Sequence, residues 1–289
     1  MTQQHTSAQT DRFVHDRLPP PEQWPTFRYD LPELQLPDQL NLVRWLFDRA
    51  AAHGHADRPF LRSDERTLSY AQTRAEVNRI ANVLNGMGLE PGNRVLLRGG
   101  NSVAMALAWL AVVQSGLIAV ATMPLLRATE LKGIIDKARP AAALCDVRLQ
   151  DELKAALAQG PDTAAMPLRL FNTGDAAVAL PDSLEALARH ASDQAAPCPT
   201  SADDIALLAF TSGTTGSPKA AVHTHRDVIA ACETWPRHVL RATPDDVVMG
   251  SPPLAFTFGL GGLAVFLCSE DAAQVTGTTH SMDGGWIAQ

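Results

Sequence analysis

The sequence predicts an α/β fold, doubly wound with mostly parallel sheets, and three observations carry that expectation. From Val95 to Leu144, strand-length apolar runs alternate with segments of helical spacing, and the connections are short. That alternation describes a parallel sheet with helices on both faces. The run Ile205-Ala206-Leu207-Leu208-Ala209-Phe210 then reads as a buried strand, followed directly by Thr211-Ser212-Gly213-Thr214-Thr215-Gly216-Ser217-Pro218-Lys219. A glycine- and hydroxyl-rich stretch at a strand's carboxyl end lies where open α/β sheets hold ligands.

Composition sets the class. A chain of 289 residues with 46% hydrophobic content can bury a large core, in two domains or one large one. Its net charge of -7 argues against a nucleic-acid partner or an anionic membrane surface. Any phosphate must therefore be held locally. Cys145, Cys198, Cys232 and Cys268 are far apart and form no C-x-x-C pair, which suits reduced thiols in a cytoplasm and offers no nucleophile or zinc site.

Met1 to Thr10 is polar, lacks the apolar core of a signal peptide and is expected to be a disordered tail. Prolines dominate from Arg17 to Pro37; either an extended arm packs Trp24, Phe27 and Tyr29 onto the body, or the segment is a loose leader. Residues 1–40 are thus tail and arm. A first α/β subdomain is expected over 41–190. Within it, Leu40, Val43, Leu46 and Phe47 fall at helical spacing up to Gly54. Ser69-Tyr70-Ala71-Gln72 has the form of a capping box, opening a helix whose face Val77, Ile80, Ala81 and Leu84 continue until Gly88.

Next come a strand at Val95–Leu97, a helix from Ser102 to Gln114, a strand at Leu117–Ala121, a helix over Thr129–Ala138 and a strand at Ala141–Leu144. Val103 to Leu126 carries no charge and could span a bilayer by length. Gln114-Ser115-Gly116 stops a helix in its middle, however, so a buried helix–turn–strand is expected. Periodicity fades between Gln159 and Asp204, apart from a short helix around Leu184, Leu187 and Ala188, and 191–204 reads as a linker.

A second α/β subdomain is expected to begin at 205 and run to 265. Ala220-Ala221-Val222-His223 returns as a strand, Thr224-His225-Arg226-Asp227 starts a helix, and Val247-Val248-Met249 is a further strand. His223 and His225 are expected on one strand face. Neither they nor His53 and His55 have carboxylate or thiol company at metal spacing. No metal site is expected.

The chemistry of the 211–219 stretch is that of a phosphate cradle. Its glycines let backbone N–H groups converge on an anion, its hydroxyls add donors and Lys219 adds a mobile positive charge. The ordinary nucleotide P-loop is excluded, since Lys219 lies between Pro218 and Ala220. Further on, Ser251-Pro252-Pro253-Leu254-Ala255-Phe256-Thr257-Phe258-Gly259-Leu260-Gly261-Gly262 sets aromatics among small residues. Such a segment can wall a slot for a planar acid, and ordinary core packing beside a turn would leave the same pattern.

The 211–219 stretch resembles the phosphate-binding signature of the adenylate-forming superfamily, the acyl- and aryl-CoA synthetases. With Asp16-Arg17-Leu18-Pro19-Pro20-Pro21-Glu22-Gln23-Trp24-Pro25, Val77-Asn78-Arg79-Ile80-Ala81-Asn82-Val83-Leu84, Ala121-Thr122-Met123-Pro124-Leu125-Leu126-Arg127 and the slot, the chain resembles in particular benzoate- and 2-aminobenzoate-CoA ligases. The resemblance implies the N-terminal domain of such an enzyme, with ATP and Mg²⁺ as cofactors and an aryl carboxylate and CoA as substrates. It places Thr211, Ser212, Gly213, Thr214, Thr215, Gly216 and Lys219 at the phosphates. Ala255, Phe256, Phe258 and Gly259 would form the aryl pocket, with Phe256 where many members carry His.

The sequence also departs from that family. Its Tyr-Gly-x-Thr-Glu segment and its late catalytic Lys have no counterpart here, since Tyr29 and Tyr70 precede the loop and no lysine follows Lys219. An incomplete domain with little or no full turnover is therefore expected; the alternative is a non-catalytic remnant of a gene fusion that binds nucleotide or associates with a ligase. Residues 266–289 resemble the C-terminal end of a short-chain dehydrogenase of the hydroxybutyrate type. They bring no Gly-rich dinucleotide fingerprint and no Tyr-x-x-x-Lys pair. Exposed apolar surface and self-association are expected to follow.

Overall fold

The computed structural model describes residues 7–64, 66–172, 180–211, 218–243, 246–249, 253–255 and 274–276. Helix α1 (Leu42–Ala52) starts on Asn41, whose side chain accepts the N–H groups of Val43 and Arg44. Two short strands, β1 (Pro59–Arg62) and β2 (Thr67–Ser69), lead into α2 (Tyr70–Asn85). Ser69 and Gln72 form the capping box expected there.

The alternation then proceeds through β3 (Arg94–Arg98), α3 (Val103–Gln114), β4 (Ile118–Thr122), α4 (Ala128–Ala138) and β5 (Ala142–Asp146). After it come α5 (Gln150–Leu157), the single turn α6 (Pro161–Ala164), β6 (Leu168–Phe171) and α7 (Leu184–Ala188). A hairpin of β7 (Ile205–Thr211) and β8 (Lys219–Thr224) runs into α8 (His225–Trp235), which continues as a π-helical turn, Pro236–Leu240. Strands β9 (Val247–Met249) and β10 (Gln274–Thr276) complete the described elements.

Six strands form one sheet in the order β6-β5-β3-β4-β7-β8, parallel throughout except for β8. The sheet runs across the boundary expected at 205, because Leu207 of β7 pairs with Ala119 of β4. β7 thus extends the first sheet rather than opening a second. A smaller sheet has the order β2-β1-β10-β9, so the tail segment 274–276 lies between β1 and β9, parallel to both.

Helix α3 is apolar on every side and buried, with α1, α2 and α8 in the same core cluster. Its 12 residues fall short of the ~20 that a bilayer requires, and the turn at Ser115-Gly116 feeds β4 directly. No helix among the described residues is long and apolar enough to cross a membrane. Helices α4 and α5 cover the opposite face with Leu131, Ile134, Ile135, Leu153 and Ala156. Among the described helices and strands, β1, β2, α5, α6, β6 and β10 were not among the elements the sequence predicts.

The N-terminal segment corrects its expectation. Gln9 is buried; its amide nitrogen donates to the carbonyls of Gly116 and Ile205, and its oxygen accepts the Ile205 N–H. Asp11 pairs with Arg94 and accepts from Asn93, and Phe13 lies under the guanidinium groups of Arg17, Arg94 and Arg139. Residues 7–17 are a strap across the amino ends of the sheet, because their polar side chains satisfy backbone groups there. In the proline-rich arm, Trp24 and Phe27 are exposed and only Tyr29 is half-buried, with Arg226 over its ring.

Candidate functional site

β7 ends on Thr211, β8 begins on Lys219, and these two residues are backbone partners. The expected phosphate segment is therefore the connection of a β-hairpin. Thr211 and Lys219, both exposed, stand at its feet; Ser212, Gly213, Thr214, Thr215 and Gly216 lie outside the described residues. At the exit, Pro218 rests on α4. A Cβ added to Gly133 would lie 3.2 Å from the Pro218 ring, and Lys137 Nζ donates to the Pro218 carbonyl at 2.8 Å.

The carboxyl end of β3 organises the same edge of the sheet. Arg98 is buried and donates to four backbone carbonyls: Met123 (2.8 Å), Pro124 (3.1 Å), Leu126 (2.8 Å) and Leu149 (3.2 Å). Desolvation lowers its pKa from the ordinary arginine value. A charge in this position is tolerated because carbonyl dipoles surround it, and it ties the β4–α4 connection to the segment after β5. Gly99 follows where a Cβ would collide with the Phe171 ring, 2.9 Å away.

Asn101 Oδ1 accepts the N–H of Leu254 at 2.8 Å, which brings the start of the aryl segment to the β3 exit. Ala255 is buried there. Phe256, Phe258 and Gly259 lie outside the described residues. Since β3, β4 and β7 are parallel neighbours, their carboxyl ends share one edge. The exits of β3 and β7 are separated by two strand spacings, about 10 Å. The feet of the hairpin, Thr211 and Lys219, and Leu254 thus lie at the same edge of the sheet, at the end where such sheets bind ligands.

The histidines divide differently from expectation. His223 lies on β8, whereas His225 is the first residue of α8 and fully buried, because the Thr224 cap ends the strand. Among the described residues no three His, Cys, Asp or Glu side chains could hold a metal. Burial pushes the Cys145 thiol up to about 12 and the Cys198 thiol up to about 11, so neither is a thiolate near neutral pH. Cys268 lies outside the described residues.

Arg98, Asn101, Gly133 and Lys137 were not singled out from the sequence. The pair Gly99-Gly100 after β3 marks a close approach and could have drawn attention to its neighbours. Lys137 had no local signal, since its partner lies 81 residues away.

Comparison with known proteins bears on this arrangement. The chain is 27% identical over 245 residues to the benzoate–CoA ligase of Thauera aromatica, covering 84% of this chain and 45% of the relative. It is 30% identical over 227 residues to the p-hydroxybenzoic acid–AMP ligase of Mycobacterium tuberculosis, covering 78% of this chain and 29% of the relative. The chain thus spans less than half the length of these curated relatives.

The crystal structure of ATP-bound MatB from Rhodopseudomonas palustris matches with a TM-score of 0.71 at 29% identity, over 83% of this chain and 45% of that one. That of the anthranilate CoA ligase AuaEII in complex with anthranoyl-AMP matches with a TM-score of 0.75 over 84% of this chain and 46% of that one. At 24% identity, the latter match speaks for the fold alone. A family model described as AMP-binding enzyme matches residues 47–284, reaching well into the segment read above as dehydrogenase-like. With the α/β sheet, the hairpin at its carboxyl edge and this match in agreement, the chain belongs to the AMP-binding enzyme family.

Proposed function

We propose that this chain binds ATP through the Thr211–Lys219 hairpin and an aryl carboxylate beside Leu254 and Ala255, in the service of aryl-acid activation. The observation that carries the reading is the hairpin itself: a glycine- and hydroxyl-rich connection whose feet, Thr211 and Lys219, pair at the ligand-binding edge of a parallel sheet. The aryl class is supported by the relatives, which include a benzoate–CoA ligase and a p-hydroxybenzoic acid–AMP ligase.

In the reaction proposed, a carboxylate oxygen attacks the α-phosphorus of ATP, the bond to pyrophosphate breaks and an aryl adenylate forms. The CoA sulfur then attacks the adenylate's carbonyl carbon, the bond to AMP breaks and the aroyl group leaves as a thioester. Activation is needed because the free carboxylate has no adequate leaving group. Loop N–H groups, hydroxyls and Lys219 would take up the phosphate charge. Mg²⁺ would arrive with the nucleotide phosphates and offset part of their charge. We expect the 289-residue chain, assayed by itself, to bind these ligands with little complete turnover.

Two further properties belong to the same reading. Reduced thiols fit a cytoplasmic setting. Exposed Trp235, Val239 and Leu240, with Trp24 and Phe27 on the arm, fit self-association; a monodisperse monomer in sedimentation would remove that part.

The test is pyrophosphate release from ATP and Mg²⁺ with CoA and benzoate or 2-aminobenzoate, with Lys219→Ala as control. Release that needs the aryl acid and is lost in the control would establish adenylation and overturn the expectation of low turnover. Silence with retained ATP and aryl-acid binding would leave a binding module. Failure to bind either ligand would sink the proposal.

A further inference from the structure

Resting on the nucleotide reading above, we infer that helix α4 is the seat that fixes the phosphate hairpin, with Gly133 and Lys137 as its positioning residues. The hairpin needs such support. Among the described strands β8 pairs with β7 alone and so lies at an edge of the sheet, and Pro218 has no N–H with which to join a ladder. Its carbonyl is the polar handle that remains. Lys137 Nζ takes that handle at 2.8 Å.

Gly133 lies one turn earlier on α4, on the same helix face as Lys137. The Pro218 ring lies over it, its Cγ 3.2 Å and its Cδ 3.7 Å from where a Cβ would stand. A glycine inside a helix is unfavourable relative to alanine, and here it admits a proline ring that a larger residue would displace. The helix beneath is well fixed. Leu131, Ile134, Ile135 and Ala138 bury its inner face, and Glu152 accepts the Ala128 N–H at its start. Arg98 holds the turn that leads into it. The hairpin's exit is thereby registered against the sheet rather than left to the edge strand, and phosphate contacts depend on placement of that kind.

The experiment is calorimetric titration of the full chain with Mg²⁺-ATP and with AMP, in wild type, Gly133→Ala, Lys137→Met and Lys137→Arg. Thermal melting and amide exchange at residues 219–221 are followed in parallel. AMP lacks the β- and γ-phosphates, so the ratio of the two affinities reads the hairpin. Losing one hydrogen bond or shifting the ring should lower that ratio about five-fold.

The expected result is a lowered ratio and faster exchange in Gly133→Ala and Lys137→Met, retention in Lys137→Arg, and a Gly133→Ala melting temperature no lower than wild type. Gly133→Ala changes no charge, so a loss there cannot be the field of Lys137. An unchanged ratio in both variants would overturn the seat and leave the nucleotide reading standing. A lowered ratio with lowered melting and unchanged exchange at 219–221 would overturn it too, as general destabilisation. A wild type that does not prefer ATP to AMP would overturn both readings.

Discussion

The Nδ1 atom of His225 accepts the backbone N–H of Leu42 at 3.1 Å, joining the first turn of α8 to the first turn of α1 across 183 residues. The bond fixes the tautomer: Nδ1 accepts, so Nε2 carries the proton, and Nε2 is buried without a hydrogen-bond partner. Burial pushes the His225 pKa down to about 3. The unfolded chain, with an ordinary histidine value near 6.5, therefore binds a proton more readily than the folded one between those limits. Stability from this group is complete above about pH 6.5 and is lost as pH falls towards 3, by up to about 1.4 kcal/mol per unit. Urea unfolding between pH 7 and pH 5 should show this slope in wild type and a shallower one in His225→Gln; equal slopes would refute it.

Arg98 supports two loops at once. Arg98→Leu would leave the carbonyls of Met123, Pro124, Leu126 and Leu149 without their buried donor, at a cost of at least ~3 kcal/mol. Arg98→Lys, with fewer donors and no planar fork, should recover only part of it. Denaturant midpoints would measure both, and a wild-type midpoint for Arg98→Leu would contradict the account.

Asn101 offers a functional separation. If its bond to Leu254 holds the aryl segment against β3, Asn101→Ala should weaken binding of benzoate about five-fold and leave Mg²⁺-ATP affinity near wild type. Parallel titrations decide the matter. Equal loss for both ligands would mean that the residue supports the whole edge.

The strap can be lifted without touching the core. Gly92 has φ +91°, and a Cβ there would stand 2.3 Å from the Asp11 carbonyl. Gly92→Ala should therefore be strained in its backbone and displace residues 9–11. Gln9→Ala should cost about 1–3 kcal/mol, since the Ile205 N–H and carbonyl lose their Gln9 partners while the Gly116 carbonyl keeps the Gly92 N–H. Melting that is unaffected in both variants would return these residues to the status of a tail.

Much of the architecture was legible because its signals are local. Ser69 and Thr224 cap helices as their sequences suggested, and Gln114-Ser115-Gly116 separates α3 from β4 although α3 has no polar face. Strands β1 and β6 were not legible because each is only 4 residues long, the shortest run over which a strand period can register. The feet of the hairpin were readable from residue type. Its seat was not, since contacts of Pro218 with Gly133 and Lys137 arise only when β8 folds beside α4. The strap was not legible for a related reason: hydropathy counts Gln9 and Asp11 as solvent-facing, whereas Gln9 serves backbone groups of Gly116 and Ile205 and Asp11 pairs with the side chains of Asn93 and Arg94, all more than 80 residues away.

The strap also bears on the order in which the molecule can be completed as it is synthesised. A chain emerging N-terminus first presents Gln9 long before Ile205, the residue whose backbone it clasps on both sides. Likewise β1 at 59–62 finds its parallel neighbour only at 274–276. The β3–α3–β4–α4–β5 unit can assemble as it appears, while β4 waits about 80 further residues for β7 and β1 about 210 for β10, so that the longer wait lasts ~10–40 s at ordinary elongation rates. In that interval the apolar edges of β4 and β1 are where a nascent chain would need shielding.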